Sequence, residues 1–452
     1  MTRKFRTADY EKTLELQITL GDVLPPDHLA RFIVDVVAQL DLQPIYKKYR
    51  DQGAPPYAPE VLLGLLFYGY ATGVFSSRKI ERATYEVIPF RFIAGDMHPD
   101  HDTIASFRKQ FLAELKELFV QILLVAQEMG HLQLGNVSLD GSKIHADASK
   151  SKAVSYKRLL AIEGYLQAEV EELFVLAEAA DGGQLPEEMN ILDEIERRQQ
   201  QLARLAEAKK VLEERAQARY EAEQAEYEAK LLARAQKTDQ LGKKPPGKPP
   251  QTPTPGPRDK DQYNFTDPES RIMKNATNSG FDQHYNVQVV VDHDSRLVVG
   301  NWLCDHTNDK QAALPTIDTV PPTVGQLKKA NLDTGYFSEN NVAGLEARGI
   351  DPYIATGRSP HHHGWRAYFL DKPEPPAQDA SAKELMAYKL RTDIGKAVYR
   401  LRKSTVEPVI GIIKETLDFR QFSLRGLLTA AGEWTLVCLA YNLKRLHNLQ
   451  LG

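Results

Sequence analysis

The sequence predicts an α/β chain in three parts: a mixed sheet with flanking helices, an all-helical region ahead of it, and a helical insert that splits it. Three observations carry that prediction. Residues 26–130 keep apolar positions at helical spacing, short apolar runs near residues 136–146, 284–304 and 327–333 read as strands, and long charged helices occupy residues 156–236. At 452 residues the chain is too long for one ordinary core. Its hydrophobic share of 42% and charged share of 26% are those of a globular protein, so composition argues neither for a disordered nor for a fibrous chain.

The first part, residues 1–130, contains DHLARFIVDVVAQL, PEVLLGLLFYGYATGV, SSRKIERATYEV and DTIASFRKQFLAELKELFVQILLVAQEMG. Pro59 suits a first helical turn, Ser76 or Ser77 suits the next cap, and Asp102 or Thr103 the one after. At Asn136 the pattern changes: in NVSLDGSKIHADAS, Val137 and Leu139 alternate with Ser138 and Asp140, as in a strand. Residues 131–155 thus open the sheet. Residues 156–240 return to helix, and Ile191, Ile195, Leu202, Leu205 and Leu212 form one apolar stripe, the pattern of an antiparallel hairpin. From 241 to 257 seven residues are Pro and three Gly, so residues 241–258 read as an extended linker.

Residues 259–452 complete the sheet with HYNVQVVVDHD, RLVVGNWLCD, LKKANLD and DPYIATG, followed by a helical stretch from about 382 to 417 that Pro408 is expected to kink. The apolar GLLTAAGEWTLVCLAYNLKRLHNL is expected to be a buried helix covering the sheet. Cys304 and Cys438 share no CxxC spacing and sit in apolar runs, which favours buried thiols and a reducing compartment. The longest apolar run, Val61–Val74, is too short to span a bilayer, so no membrane is expected and a cytoplasmic location is. A net charge of −4 hides a basic segment: from Tyr388 to His447 eleven Lys or Arg face five acids, about +6.

Asp140 in SLDGSK and Asp333 in NLDTGY both end strand-like runs on Leu-Asp, at the carboxyl edge where open α/β sheets bind ligands. Glu407 lies on the late helical stretch. Three such carboxylates on rigid supports suit phosphodiester chemistry, where two hard cations about 3.5–4 Å apart are held by oxygen ligands. An Asp beside a Gly is also a common turn, which the acids alone do not exclude.

Tyr399, Arg402, Glu407 and Lys414 form Y-x2-R-x4-E-x6-K, which resembles the Y-x2-R-x3-E-x6-K signature of DDE transposases of bacterial insertion sequences, with one extra residue between Arg and Glu. Either Arg402 or Lys403 fits the family's Arg. On a continuous helix Arg402 lies about 140 degrees from Glu407 and Lys403 about 40 degrees. PDHDTIASFRKQF, SLDGSKI and FRQFSLRGLLTAAGEWTLVCLAYNLKRL also resemble that family, in the branch numbered eleven eighty-two with its InsH-type N-terminal domain.

The resemblance implies a ribonuclease H-like core with Asp140, Asp333 and Glu407 as catalytic and metal-holding triad, two Mg2+ ions that Mn2+ can replace, and Tyr399, Arg402 and Lys414 on DNA phosphates. It also implies double-stranded DNA as substrate and a homodimer when two transposon ends are paired, with end cleavage followed by joining of the 3′ end to target DNA. Arg78, Lys79, Arg82, Arg108 and Lys109 are expected to carry DNA recognition in residues 1–130. Two rivals are a ribonuclease H-like nuclease that never joins strands and a non-enzymatic DNA-binding relative. Asp305 and Asp309 are candidates for supporting the triad, Asp292 and Asp294 for a hairpin turn, and His361–His363 for a solvated loop or a transition-metal site.

Overall fold

The computed structural model describes residues 19–49, 55–180, 190–242, 248–275, 280–357, 375–377 and 380–452. The His361–His363 run lies outside them. Two compact units result, one built from the chain up to Ile144 and again from Tyr285 onward, the other from His145–His284.

The first unit opens with α1 (Leu20–Val23), α2 (Leu29–Val37), α3 (Gln43–Tyr46), α4 (Pro59–Ala71), α5 (Ser77–Glu86), α6 (Ile88–Ala94), α7 (His101–Gln110) and α8 (Glu114–Glu128). Pro59 takes the first turn of α4. The α7 helix starts before Asp102, because Asp100 Oδ1 accepts the Thr103 amide at 2.8 Å and is the cap. The chain then breaks between α7 and α8 where one long helix was expected. Strand β1 (Asn136–His145) follows and carries the chain into the second unit.

That unit holds β2 (Ala153–Ser155), the helices α9 (Tyr156–Ala180) and α10 (Ile191–Leu241), β3 (Gln262–Asn264) and β4 (Arg271–Lys274). The apolar stripe is the hairpin seam: Leu205, Ala208 and Leu212 pack with Leu159, Leu166, Val154 and Tyr263, and Ile191 and Ile195 with Leu173. Arg198–Glu169 at 2.7 Å and Lys209–Glu163 at 2.9 Å flank it. At 51 residues, α10 is roughly 75 Å long. The end of the Pro-rich run is fastened to this helix, since Arg219 donates to Gly256 O at 3.1 Å and Arg258 pairs with Glu223 at 3.0 Å. The β2–β3 pair is antiparallel, and β4 pairs antiparallel with residues 281–284.

The first unit resumes with β5 (Phe281–Asp292, from Tyr285 in this unit), β6 (Val298–Cys304), α11 (Ala313–Ile317), β7 (Lys329–Leu332), α12 (Glu339–Ala347) and β8 (Asp351–Ile354), then α13 (Ala382–Arg391), α14 (Asp393–Arg400), α15 (Arg402–Gly411) and α16 (Leu427–Leu451). Its sheet runs β6-β5-β1-β7-β8 and is mixed, with β5 and β6 antiparallel and β1, β7 and β8 parallel. Asp292 closes the β5–β6 turn, accepting the Ser295 amide at 2.9 Å and the Asp294 amide at 3.2 Å.

Helix α16 is buried along most of its length and lies on β6, where Asn442 bonds both the amide and the carbonyl of Val298 at 2.8 and 2.7 Å. It also meets the N-terminal helices: Lys444 donates to Ala71 O at 3.0 Å and Tyr70 donates to Glu433 Oε1 at 2.9 Å. Residues ahead of β1 therefore share a core with the sheet, where the sequence suggested a separate domain. The stretch expected as one helix from 382 to 417 is three. Thr392 caps α14 by accepting the Gly395 amide, the chain turns again at Leu401, and Pro408 sits inside α15 without ending it. A π-helical turn, Ile412–Thr416, follows.

Candidate active site

Strand register brings the first two acids together. Leu139 of β1 pairs in parallel with Leu332 of β7, so Asp140 and Asp333, each the next residue, stand side by side; β7 ends at Leu332, whereas β1 runs on to His145, so Asp140 lies within its strand and not at the strand end that the Leu-Asp pattern suggested. The third acid comes from the helices laid across that pair. Asn331 of β7 donates to Val398 O at 2.8 Å, and Thr405 of α15 donates to Ser138 of β1 at 3.0 Å, with Ser138 also 2.9 Å from His293 Nε2. These buried polar contacts fasten α14 and α15 over the middle of β1 and the end of β7.

Arg402, the first residue of α15, then lies among the three carboxylates. Its Nη2 donates to Asp140 Oδ2 at 2.6 Å and stands 3.9 Å from Asp333 Oδ2, while Nη1 donates to Glu407 Oε1 at 2.9 Å. Lys403 is exposed. The helical count favoured Lys403 because it measures the direction of Cβ; a long side chain starting a new helix after the turn at Leu401 reaches what that angle does not predict. The three acids grade from sheltered to open, with side-chain exposures of 17% at Asp140, 40% at Asp333 and 46% at Glu407. Burial pushes the Asp140 carboxyl up to about 6 against the pull of Arg402, and the charges of Asp333 and Glu407 push the same way. Burial likewise raises the Tyr399 phenol, which lies near enough to feel Arg402 and all three acids. Lys414, on the π turn, donates to Ser142 Oγ at 3.1 Å, two residues beyond Asp140, and burial lowers its pKa.

A second group of polar residues supports this cluster. Asn286 and Gln288, buried on β5, donate to Asp309 Oδ1 at 2.8 and 3.2 Å, and Tyr336 donates to Gln288 Oε1. A Cβ on Gly335 would meet Asp333 Oδ1 at 3.0 Å and Asp309 Oδ2 at 3.4 Å, so Asp309 stands just behind the loop that carries Asp333. Gly141 has no room for a side chain either, as its Cβ would fall 2.2 Å from Gln288 Nε2. Asp309 was visible in the sequence; Asn286 and Gln288 were not singled out, although two polar residues at alternate positions within YNVQVVV mark one strand face.

The basic residues of the N-terminal helices divide. Arg78, Lys79, Arg82 and Lys109 are exposed. Arg108 does not join them: it is 7% exposed, donates to Tyr70 at 2.7 Å and Phe75 O at 3.2 Å, and lies 3.8 Å from the fully buried Glu433. Its place is structural, because its partners come from α4 and α16. Cys304 and Cys438 are free and buried.

The donor set of Asp140, Asp333 and Glu407 is all hard oxygen, the kind that suits Mg2+ or Mn2+, and its convergence on one positive group fits a cation there. As placed, that group is a guanidinium. Among the described residues no cluster of His, Cys, Asp or Glu closes around a point that would hold a metal.

Residues 18–110 match the family model described as Transposase domain (DUF772), and residues 376–447 match the Transposase DDE domain. The second match spans Tyr399, Arg402, Glu407 and Lys414; Asp140 and Asp333 lie outside both. No curated protein and no solved structure matches the chain. Both matched models describe parts of one class of DNA-recombining enzyme. Two stretches of the chain, near its N-terminal and C-terminal ends, thus resemble transposase domains, as in the DDE transposases of insertion sequences. No helix among the described residues is long and apolar enough to cross a membrane.

Proposed function

We propose that Asp140, Asp333 and Glu407 are the catalytic triad of this transposase, on a ribonuclease H-like core, and that the enzyme cuts transposon ends and joins the freed 3′ end to target DNA. The observation that carries the reading is the meeting of three carboxylates, from β1, β7 and α15, around one guanidinium. Divalent cations, Mg2+ or Mn2+, held by these oxygens would activate the attacking oxygen and stabilise the leaving one.

The chain's own residues do the rest. The β1–β7 register fixes the spacing of Asp140 and Asp333, and Thr405–Ser138 and Asn331–Val398 O set Glu407 over them. Tyr399, Arg402 and Lys414 supply a phenol, a fork and a point charge for end phosphates. Arg78, Lys79, Arg82 and Lys109 offer exposed cations for double-stranded DNA, and pairing two ends calls for a homodimer.

The test is cleavage and joining of labelled end DNA by Asp140→Asn, Asp333→Asn and Glu407→Gln, beside a binding assay. Each variant should fold and bind ends while both reactions fall by roughly a thousandfold or more, as when one member of a cooperating catalytic group is removed. A Glu407→Gln enzyme that cuts at the wild-type rate would refute the triad. Wild-type enzyme that cuts without joining would make the protein a nuclease.

A further inference from the structure

We infer that Arg402 is a positioning residue that holds the triad in place of the divalent cations and must leave before they enter; the inference rests on the triad reading above. The same guanidinium takes Asp140 Oδ2 at 2.6 Å and Glu407 Oε1 at 2.9 Å and stands 3.9 Å from Asp333 Oδ2. A Mg2+ ion needs carboxylate oxygens at about 2.0–2.1 Å in near-octahedral order. A cation so placed among these oxygens and a guanidinium already bonded to them claim the same space. One displaces the other.

The surroundings are those of a side chain with two positions. Arg402 keeps the acids from repelling one another, one positive charge against three negative, yet its Nε is buried without a hydrogen-bond partner among the described residues. The Nε of the buried Arg108 is unmet in the same way, so what sets Arg402 apart is the surplus of acids around it at an open edge, not that donor. It starts α15 just after the turn at Leu401, and its neighbours Leu401, Lys403 and Ser404 are exposed, so its way out is open. Glu407 and Asp333, the two acids it would uncover, already face solvent in part.

Displaced, the guanidinium is a free fork of the kind that takes a phosphate by two parallel hydrogen bonds. An end phosphate that draws Arg402 away uncovers the carboxylates, and a cation that expels Arg402 presents the fork to a phosphate. The two binding events are therefore linked, and linkage is reciprocal: DNA tightens cation binding by the factor by which the cation tightens DNA binding. Cation loading without DNA is suppressed, which keeps the cutting centre unassembled until an end arrives.

The experiment is a titration of the full-length protein with Mn2+, read by the electron paramagnetic resonance of the free ion, with and without duplex end DNA. Without DNA, Arg402→Gln should bind Mn2+ on the order of tenfold more tightly than wild type, inside the range usual for coupled sites. DNA should tighten Mn2+ binding in wild type and change it far less in Arg402→Gln. Arg402→Lys, which keeps the charge and loses the fork, should fall between and serves if the Gln variant does not fold. Unchanged or weaker Mn2+ binding by Arg402→Gln, or by Arg402→Lys in its stead, overturns the inference, as does a wild-type affinity indifferent to DNA. Asp140→Asn, run alongside, separates the two claims: if it keeps Mn2+ as wild type does, the triad itself is wrong.

Discussion

Two arginines lie inside the first unit among carboxylates, and they are held differently. Arg108 faces one acid, Glu433, which is wholly buried and also accepts from Tyr70 and from the amides of Ser423 and Leu424 at 2.9 and 3.0 Å. Charges balance there, and the cluster is sealed between α4, α7 and α16. Arg402 faces three acids, two of them well exposed, at an edge of the sheet. The first is an ion pair completed by the fold; the second is a surplus of negative charge that the fold leaves incomplete. A balanced, closed pair fastens elements together, whereas an unbalanced open one is a place for something to bind.

Removing one acid from each cluster should separate them most sharply. Glu433→Gln leaves Arg108 buried and uncompensated, and should cost about 3–5 kcal/mol of stability, read as a lower melting temperature or denaturant midpoint. Asp140→Asn should leave the melting temperature unchanged or raise it, since burial already disfavours that charge in the metal-free protein. Comparable destabilisation by both would erase the distinction.

The fastening beneath the open cluster has a pH signature. His293, buried against Ser138, has its pKa lowered from 6.5, first by burial and partly offset by Asp294. A folded-state value below the unfolded one means that the unfolded chain takes up protons first, so stability is complete above about pH 6.5 and declines as the pH falls below it. His293→Asn should flatten the fall in melting temperature between about pH 6.5 and 5. A profile identical to wild type would show that His293 does not contribute it.

The smallest effect belongs to the exposed cations. Arg78→Ala and Lys79→Ala should each weaken DNA binding uniformly across sequences and lower the slope of log affinity against log salt by about one. Arg108→Ala, by contrast, should act through unfolding and leave that slope unaltered in the folded fraction.

Much of the site could be read from residue patterns. Asp140 and Asp333 stood out because a strand alternates and each run ended on Leu-Asp; Glu407 came from spacing within a resembled motif. Arg402 among the acids was not readable, because an angular count on an assumed continuous helix takes no account of the breaks at Thr392 and Leu401 or of the reach of a long side chain. Arg108 looked like a surface cation for a related reason: local pattern placed it on a basic helix, and its partner Glu433 is remote in sequence. The main strands along the chain and the covering helix α16 followed from apolar runs, yet the order of strands in the sheet and the sharing of one core between the N-terminal helices and the sheet depend on contacts such as Tyr70–Glu433 that no local window contains. β2, β3 and β4 are three or four residues each, too short to leave a periodic signal.

The central claim is that divalent cations sit where β1, β7 and α15 meet. Loading the DNA-bound enzyme with Fe2+ in place of Mg2+, adding ascorbate and peroxide, and mapping the cuts in the polypeptide tests that place directly. Cuts close to Asp140, Asp333 and Glu407, all three lost in Asp140→Asn, are the predicted result. Cuts clustered elsewhere, for instance at His361–His363, or a pattern that Asp140→Asn leaves unaltered, would contradict it.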